Sequence, residues 1–213
     1  MNFSALLQTI IYIISSSLLI PVMFLLVFLL LWMLFISGML LSEWIERKKL
    51  KKIVNINLLL DGVAEKKKIP EEYFEYFSLY VKSYFKRLNE LISLKDKLFE
   101  IKVENLLQEK ELNMLKELDK IKMVIRIGPS LGLMGTLIPM GTGLASLGQG
   151  DITKLSSSLI IAFTTTVVGL GLGVVAFFYG SIKERWIQED MKNMEVFTET
   201  IAKLNGKYLG ESK

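Results

Sequence analysis

Residues 155–182 read Leu155-Ser-Ser-Ser-Leu-Ile-Ile-Ala-Phe-Thr-Thr-Thr-Val-Val-Gly-Leu-Gly-Leu-Gly-Val-Val-Ala-Phe-Phe-Tyr-Gly-Ser-Ile182, a run without a single charge. As a helix it would be about 40 Å long, enough to cross a bilayer. Within it a small or hydroxyl residue recurs at every turn: Ser158, Ala162, Thr166, Gly169, Gly173, Ala176 and Gly180. Spacings of three and four place them on one continuous stripe. Leu, Ile, Val and Phe fill the remaining faces. Such a helix offers hydrocarbon to lipid on one side. On the other it offers a smooth, slightly polar wall, suited either to a closely packed neighbouring helix or to a pore.

The rest of the chain has the same division. Half of the residues are apolar, yet there are 26 Lys and Arg and 22 Asp and Glu, and these are segregated. Residues 1–42, 127–150 and 155–182 carry no charge, and nearly everything ionisable lies in 43–126 and after 182. The 42 uncharged residues at the start would make about 63 Å of helix, roughly twice a hydrocarbon core. Pro21, preceded by Ser15, Ser16 and Ser17, supplies a break. The first transmembrane helix is therefore expected over about 18–42, with 1–17 as an amphiphilic segment at the interface. A cleaved secretory signal fits poorly: the apolar run is too long and no basic region precedes it. Interleaving of Lys/Arg with Asp/Glu along the charged segment argues against a nucleic-acid surface. With no cysteine and no histidine, disulfides, thiol nucleophiles, imidazole bases and the usual transition-metal sites are all removed.

Orientation follows from the basic residues. Nineteen of them fall in 43–126, beginning with Arg47, Lys48, Lys49, Lys51 and Lys52, six fall after 182, and only Lys154 lies between the second and third spans. The positive-inside rule puts the N-terminus outside, the charged segment and the tail in the cytosol, and 148–154 in a tight outer turn. The expected layout is all-α, with three transmembrane helices and a long helical cytosolic insertion. It divides into 1–42 (interfacial segment and first span), 43–124 (cytosolic helices), 125–182 (second and third spans) and 183–213 (cytosolic C-terminal helix).

Within the insertion, Pro70 followed by Glu71 and Glu72 predicts a helix start, with acids at the positive end of the dipole. No Gly or Pro follows until Gly128. Leu91, Leu94, Leu98 and Ile101 have heptad spacing, which Asn105 and Gln108 continue and Leu112 and Leu115 resume. Asp61 and Gly62 suggest that 43–60 and 70–127 are separate helices.

The second span carries a more specific pattern: Ile127-Gly-Pro-Ser-Leu-Gly-Leu-Met-Gly-Thr-Leu-Ile-Pro-Met-Gly141. Gly132 and Thr136 are one turn apart. Pro129 suits a first turn, whereas Pro139 lies in the interior and frees the carbonyl of Gly135, tolerable in a membrane only where protein or water satisfies it. The Gly-Pro-x-Leu-Gly-Leu-Met-Gly-Thr-Leu run, a short turn, and then Ala162-Phe-Thr-Thr-Thr-Val-Val-Gly-Leu-Gly-Leu172 resemble the MotA/TolQ/ExbB proton channel family, over about 125–185. The three-span layout with its long insertion is most similar to the TolQ/ExbB branch.

That resemblance implies pore-facing threonines at Thr136 and Thr166, with Thr165 beside the latter. It further implies a homo-pentamer in the inner or plasma membrane, closed around two copies of a single-span TolR/ExbD-like protein whose membrane aspartate carries the ion. The small-residue stripe would give the helix of such a second polypeptide a smooth wall to pack against, at Gly132, Ala162, Gly169, Gly173 and Ala176. Members often place a glutamate five residues before the third-span threonine; here Ile161 stands there, which lowers the polarity of the pore.

The residues themselves lead to a related expectation. An ion path through a membrane usually employs a titratable group, because charge there is costly and kept for function. No Asp, Glu, His, Lys or Arg lies in any span. Threonine hydroxyls can hydrogen-bond a carboxyl or order water but take no charge near neutral pH. In an ion-powered machine the titrating carboxylate would have to arrive on another polypeptide. The reading from a different class is a structural membrane scaffold whose cytosolic helices dock other proteins. For an enzyme the sequence offers no nucleophile–base pair, metal cluster or phosphate loop, and no cofactor is expected.

Overall fold

A computed structural model describes residues 3–50, 56–66, 68–93 and 98–204; the side chains of Leu50, Asn57 and Leu58 are outside that description. Among the described residues there is no strand. The helices are α1 (Phe3–Ser17), α2 (Leu19–Leu50), α3 (Ile56–Lys66), α4 (Leu79–Ser93), α5 (Phe99–Leu147) and α6 (Ile152–Leu204), with a 3-10 helix at Glu71–Tyr76. Three stretches are long and apolar enough to cross a membrane: Phe3–Lys49, Phe99–Leu147 and Ile152–Leu204. The chain is an all-α protein with three such spans.

The chain forms two compact units. One takes in the chain to Gly38 together with Lys120–Gly180. Its α1 buries nothing, and its part of α2 buries Val22, Leu26 and Met33, a stripe of helical period. The break between α1 and α2 falls at Leu18, three residues ahead of Pro21. This is where a proline acts: its missing N–H and its ring disturb the turn before it, and Pro21 sits in the first turn of the new helix. α5 does not start at Pro129. It runs through Pro129 and Pro139 without interruption, because in a membrane helix neighbouring protein can cover the groups that proline exposes. The turn between the second and third spans is tight. Gly150 has φ +81°, a left-handed conformation that suits glycine, and Asp151 caps α6 by accepting the Lys154 N–H at 2.9 Å.

The other unit takes in Met39–Asp119 and the chain from Ser181. Its core is aromatic and aliphatic. α4 contributes Val81, Tyr84, Phe85 and Leu88, and α6 contributes Ile187, Met194, Phe197 and Ile201. The Phe85 ring lies 5.1 Å from Phe77, edge-on, and 4.9 Å from Phe197.

Three expectations for this unit need correction. Helix α3 passes straight through Gly62, where the Tyr73 phenol lies so close that a Cβ would overlap it; the glycine serves a contact and breaks nothing. The segment after Pro70 is not one long helix. It is a 3-10 turn, a restart at Ser78, whose hydroxyl caps α4, and a further start at Phe99. The buried row of α5 is Phe99, Val103, Leu106, Met114 and Leu118, while Leu98, Ile101 and Leu112 of the expected seam are exposed. Two apolar rows are present, and the one that shares its core with α4 and α6 is buried. Leu94 and 205–213 lie outside the described residues.

Candidate functional site

The spans meet along an antiparallel α5/α6 seam in which each glycine permits a specific approach. A Cβ built on Gly169 would stand 2.6 Å from the Gly132 Cα and 2.7 Å from the Gly128 carbonyl oxygen. These neighbours are backbone and cannot rotate away. One built on Gly173 would meet the Pro129 ring at 2.6 Å, and one on Gly143 the Ser158 Cβ at 3.0 Å. The Ile125 carbonyl, which Pro129 deprives of its helical donor, lies 3.7 Å from that same Gly173 position. Ala162 and Ala176 are fully buried. At Ser158, Gly169 and Gly173 the stripe packs against α5 of the same chain. Gly132, Gly169 and Gly173, expected against a partner's helix, are occupied by each other's helices, because only positions without a Cβ allow backbones this close.

That close approach sets the geometry of the hydroxyls. Thr136 on α5 and Thr166 on α6 stand with their Oγ1 atoms 2.7 Å apart, both partly buried. Thr136 is also within donating distance of the Gly132 carbonyl, 2.9 Å, and Thr166 of the Ala162 carbonyl, 3.0 Å. Two protons thus serve three contacts, so the pair can be polarised in either direction, and one hydroxyl can turn outward to another acceptor. Thr165, expected beside them, is placed differently. It is buried, it donates to the carbonyls of Ile161 (3.0 Å) and Ala162 (2.9 Å) on its own helix, and its side chain fills the space above Gly135. Of the three threonines, two meet and the third packs. Ile161, where a glutamate was expected from the resemblance, leaves that position without a titratable group.

Elsewhere in the first unit, α2 is tied to α6 by a hydrogen bond between the Ser37 and Tyr179 hydroxyls, 2.7 Å apart. In the second unit a charged cluster links four helices. Arg47 donates to both carboxylate oxygens of Asp190 (3.0 and 2.6 Å) and to Glu43 (3.1 and 2.9 Å). Lys183 reaches Glu43 at 2.8 Å and Glu117 at 3.3 Å, and the Ser78 hydroxyl donates to Asp190 at 2.8 Å. Burial works against the Arg47 charge, but Asp190 and then Glu43 outweigh it and hold its pKa above the ordinary arginine value. Tyr80 donates to Glu117, and burial together with that bond raises its pKa. Sequence reasoning missed this cluster, since Arg47 and Asp190 are 143 positions apart. It also missed the packing of Gly135 against Thr165, having read Gly135 only through its carbonyl and its place in the motif. Among the described residues no group of His, Cys, Asp and Glu could hold a metal ion, and every buried side-chain N or O atom has a partner.

These features define a helical membrane protein whose second and third spans are joined by a glycine-lined seam carrying a pair of hydroxyls. The MotA/TolQ/ExbB proton channel family matches residues 79–196, more than half of the chain and the whole of this seam, and the chain belongs to that family. The matched region opens at the first residue of α4, well ahead of the second span. No curated protein and no solved structure matches the chain.

Proposed function

We propose that the chain is a ring-forming subunit of an ion-driven membrane motor, of the TolQ/ExbB kind, that converts ion flow into mechanical work on a partner. Five copies close around two copies of a single-span TolR/ExbD-like protein whose membrane aspartate titrates, and Thr136 and Thr166 present hydroxyls to it. The ring sits in the inner or plasma membrane with its N-terminus outside and its C-terminus in the cytosol, as the distribution of basic residues favours. In this reading the chain catalyses no chemical reaction and needs no cofactor.

The observation that carries the proposal is the Thr136–Thr166 pair, with hydroxyls 2.7 Å apart at the centre of a seam that contains no charged residue. Membership of a proton channel family supports an ion path, and the chain supplies no group on it that titrates near neutral pH. A carboxylic acid carried by another polypeptide supplies the missing chemistry. Its neutral form donates to, and its ionised form accepts from, a hydroxyl pair able to reverse its polarity. Ion transfer then needs no rearrangement of the wall.

Native mass spectrometry of the chain co-expressed with its single-span partner tests the assembly. Five copies of this chain with two of the partner are expected. Monomers alone in mild detergent, or a ring that assembles and never retains an acidic single-span protein, would contradict it.

A further inference from the structure

We propose that Thr165 is a positioning residue that sets the register of α5 against α6, and so brings the Thr136 and Thr166 hydroxyls together. The idea rests on reading that pair as the ion path, but its structural half can be tested without ion flow.

Three observations carry it. First, Thr165 is buried while its neighbour Thr166 is only partly so, and the Thr165 hydroxyl is committed to the Ile161 and Ala162 carbonyls of its own helix. Its proton is spent on its own helix, and its side chain is covered by α5 at Gly135. Second, its side chain is seated on Gly135: a Cβ built there would lie 2.6 Å from the Thr165 Cβ, 2.7 Å from its Oγ1 and 3.1 Å from its Cγ2. The side chain therefore occupies a notch that only glycine leaves open, and its branched Cβ, stiff at χ1, keeps it there. Third, Gly135 and Thr165 are the immediate chain neighbours of Thr136 and Thr166. A shift of α6 along α5 that lifted Thr165 out of its notch would carry the two hydroxyls apart. Contact is steric, so shape decides and polarity does not.

The chain has no cysteine, so a Thr136→Cys, Thr166→Cys pair can report the register alone. Mild oxidation of the full chain in membranes should close an intrachain disulfide, because thiols at these positions start within bonding reach. Adding Gly135→Ala should slow closure by about tenfold or more, since misplacement near 1 Å is enough to cost up to about a hundredfold in geometry-dependent reactions. Adding Thr165→Gly to that variant moves the Cβ to the opposite helix and should restore the rate. Thr165→Val, which keeps the shape, should leave closure unchanged. If Gly135→Ala does not accumulate, Thr165→Val and Thr165→Gly decide between them, the first closing at the reference rate and the second more slowly.

Unchanged closure in Gly135→Ala, no rescue by the exchange, or equal rates in Thr165→Val and Thr165→Gly would overturn the proposal. Ion flux in vesicles with the partner separates the two ideas. Thr165→Val should retain flux and Thr166→Val should lose it. Loss of flux in Thr165→Val with normal closure would place Thr165 on the path itself and overturn its positioning role. If Thr166→Val retains flux while closure still depends on Gly135, the register lock stands and the ion-path reading fails.

Discussion

The Thr136 and Thr166 hydroxyl oxygens lie 2.7 Å apart across the α5/α6 seam, and each also lies about one hydrogen bond from a carbonyl one turn earlier on its own helix. Neither position is remarkable alone, because a membrane threonine commonly returns its proton to its own backbone. Their meeting follows from glycine. Gly132 and Gly169 let the helix axes close until two short side chains touch. The same glycines thus serve the packing of the spans and the contact between the hydroxyls.

Substitutions at two glycines two positions apart should move stability in opposite directions. At Gly169 an added methyl meets the Gly132 backbone at 2.6 Å, whereas at Gly171 nothing lies within 4 Å. Gly169→Ala should destabilise the spans by about 1–3 kcal/mol, the usual result of overpacking. Gly171→Ala should be neutral or stabilise by up to about 1 kcal/mol through helix propensity. Thermal unfolding of the two variants in detergent checks the sign; equal effects would show that the seam is not closed at Gly169.

The Arg47–Asp190 pair should show the asymmetry of buried charges. Both side chains are about nine-tenths shielded. Asp190→Ala leaves Arg47 with Glu43 and the Trp186 ring among the described residues and should cost about 3 kcal/mol, in the range seen when one partner of a buried pair is removed. Arg47→Met combined with Asp190→Leu should cost clearly less than the sum of the single changes. A double-mutant cycle by denaturation measures the coupling. Additive effects would mean that the pair contributes only through its separate contacts.

Alkaline pH should weaken the second unit through Tyr84. Burial raises its phenol to about 12 from an ordinary value of 10.0, with Glu195 adding and the Thr198 hydrogen bond subtracting. Below pH 10 both folded and unfolded forms are protonated and the full stability is present. As pH rises from about 10 to 12 the unfolded form releases its proton first and stability falls, by up to about 3 kcal/mol for a shift of this size. Tyr84→Phe should make that decline shallower, leaving the share of Tyr80, whose phenol is raised by burial and by Glu117, and Thr198 retains its bond to the Met194 carbonyl. Unfolding midpoints between pH 9 and 12 for both proteins decide the matter; identical slopes would exclude Tyr84 as the cause.

The three spans were legible because hydrocarbon tolerates only a narrow class of sequence, and three charge-free runs satisfy it. The close approach of Gly132 and Gly169 was legible as a stripe, though not which helix would meet it. A stripe fixes the closeness of a neighbour and says nothing of its identity. Thr136 and Thr166 were legible as a pair only through the family-like motif, and Thr165 was grouped with them because adjacency in sequence does not reveal which side of a helix is covered. The insertion was the least legible part. Leu98, Ile101 and Leu112 of the expected seam are exposed, Leu91 and Leu115 pack against the core from its edge, and Phe99, Val103, Leu106 and Met114 share the core with residues of α4 and α6 that lie far away in sequence. Arg47 and Asp190 gave no local signal at all.

The central claim is that the hydroxyl pair, and not merely its bulk, belongs to the ion path. Valine in place of both Thr136 and Thr166 keeps the volume and removes both hydroxyls. Hydrogen bonds between membrane helices average only about 0.6 kcal/mol, so assembly should survive. The measurement is proton or sodium flux into vesicles containing the chain with the proposed single-span partner, for the original protein and for the Thr136→Val, Thr166→Val double variant at equal protein content. The account predicts a fall of about tenfold or more, corresponding to about 1.4 kcal/mol or more in the barrier. Unchanged flux through an intact ring would contradict it and leave the two threonines as packing residues of a scaffold.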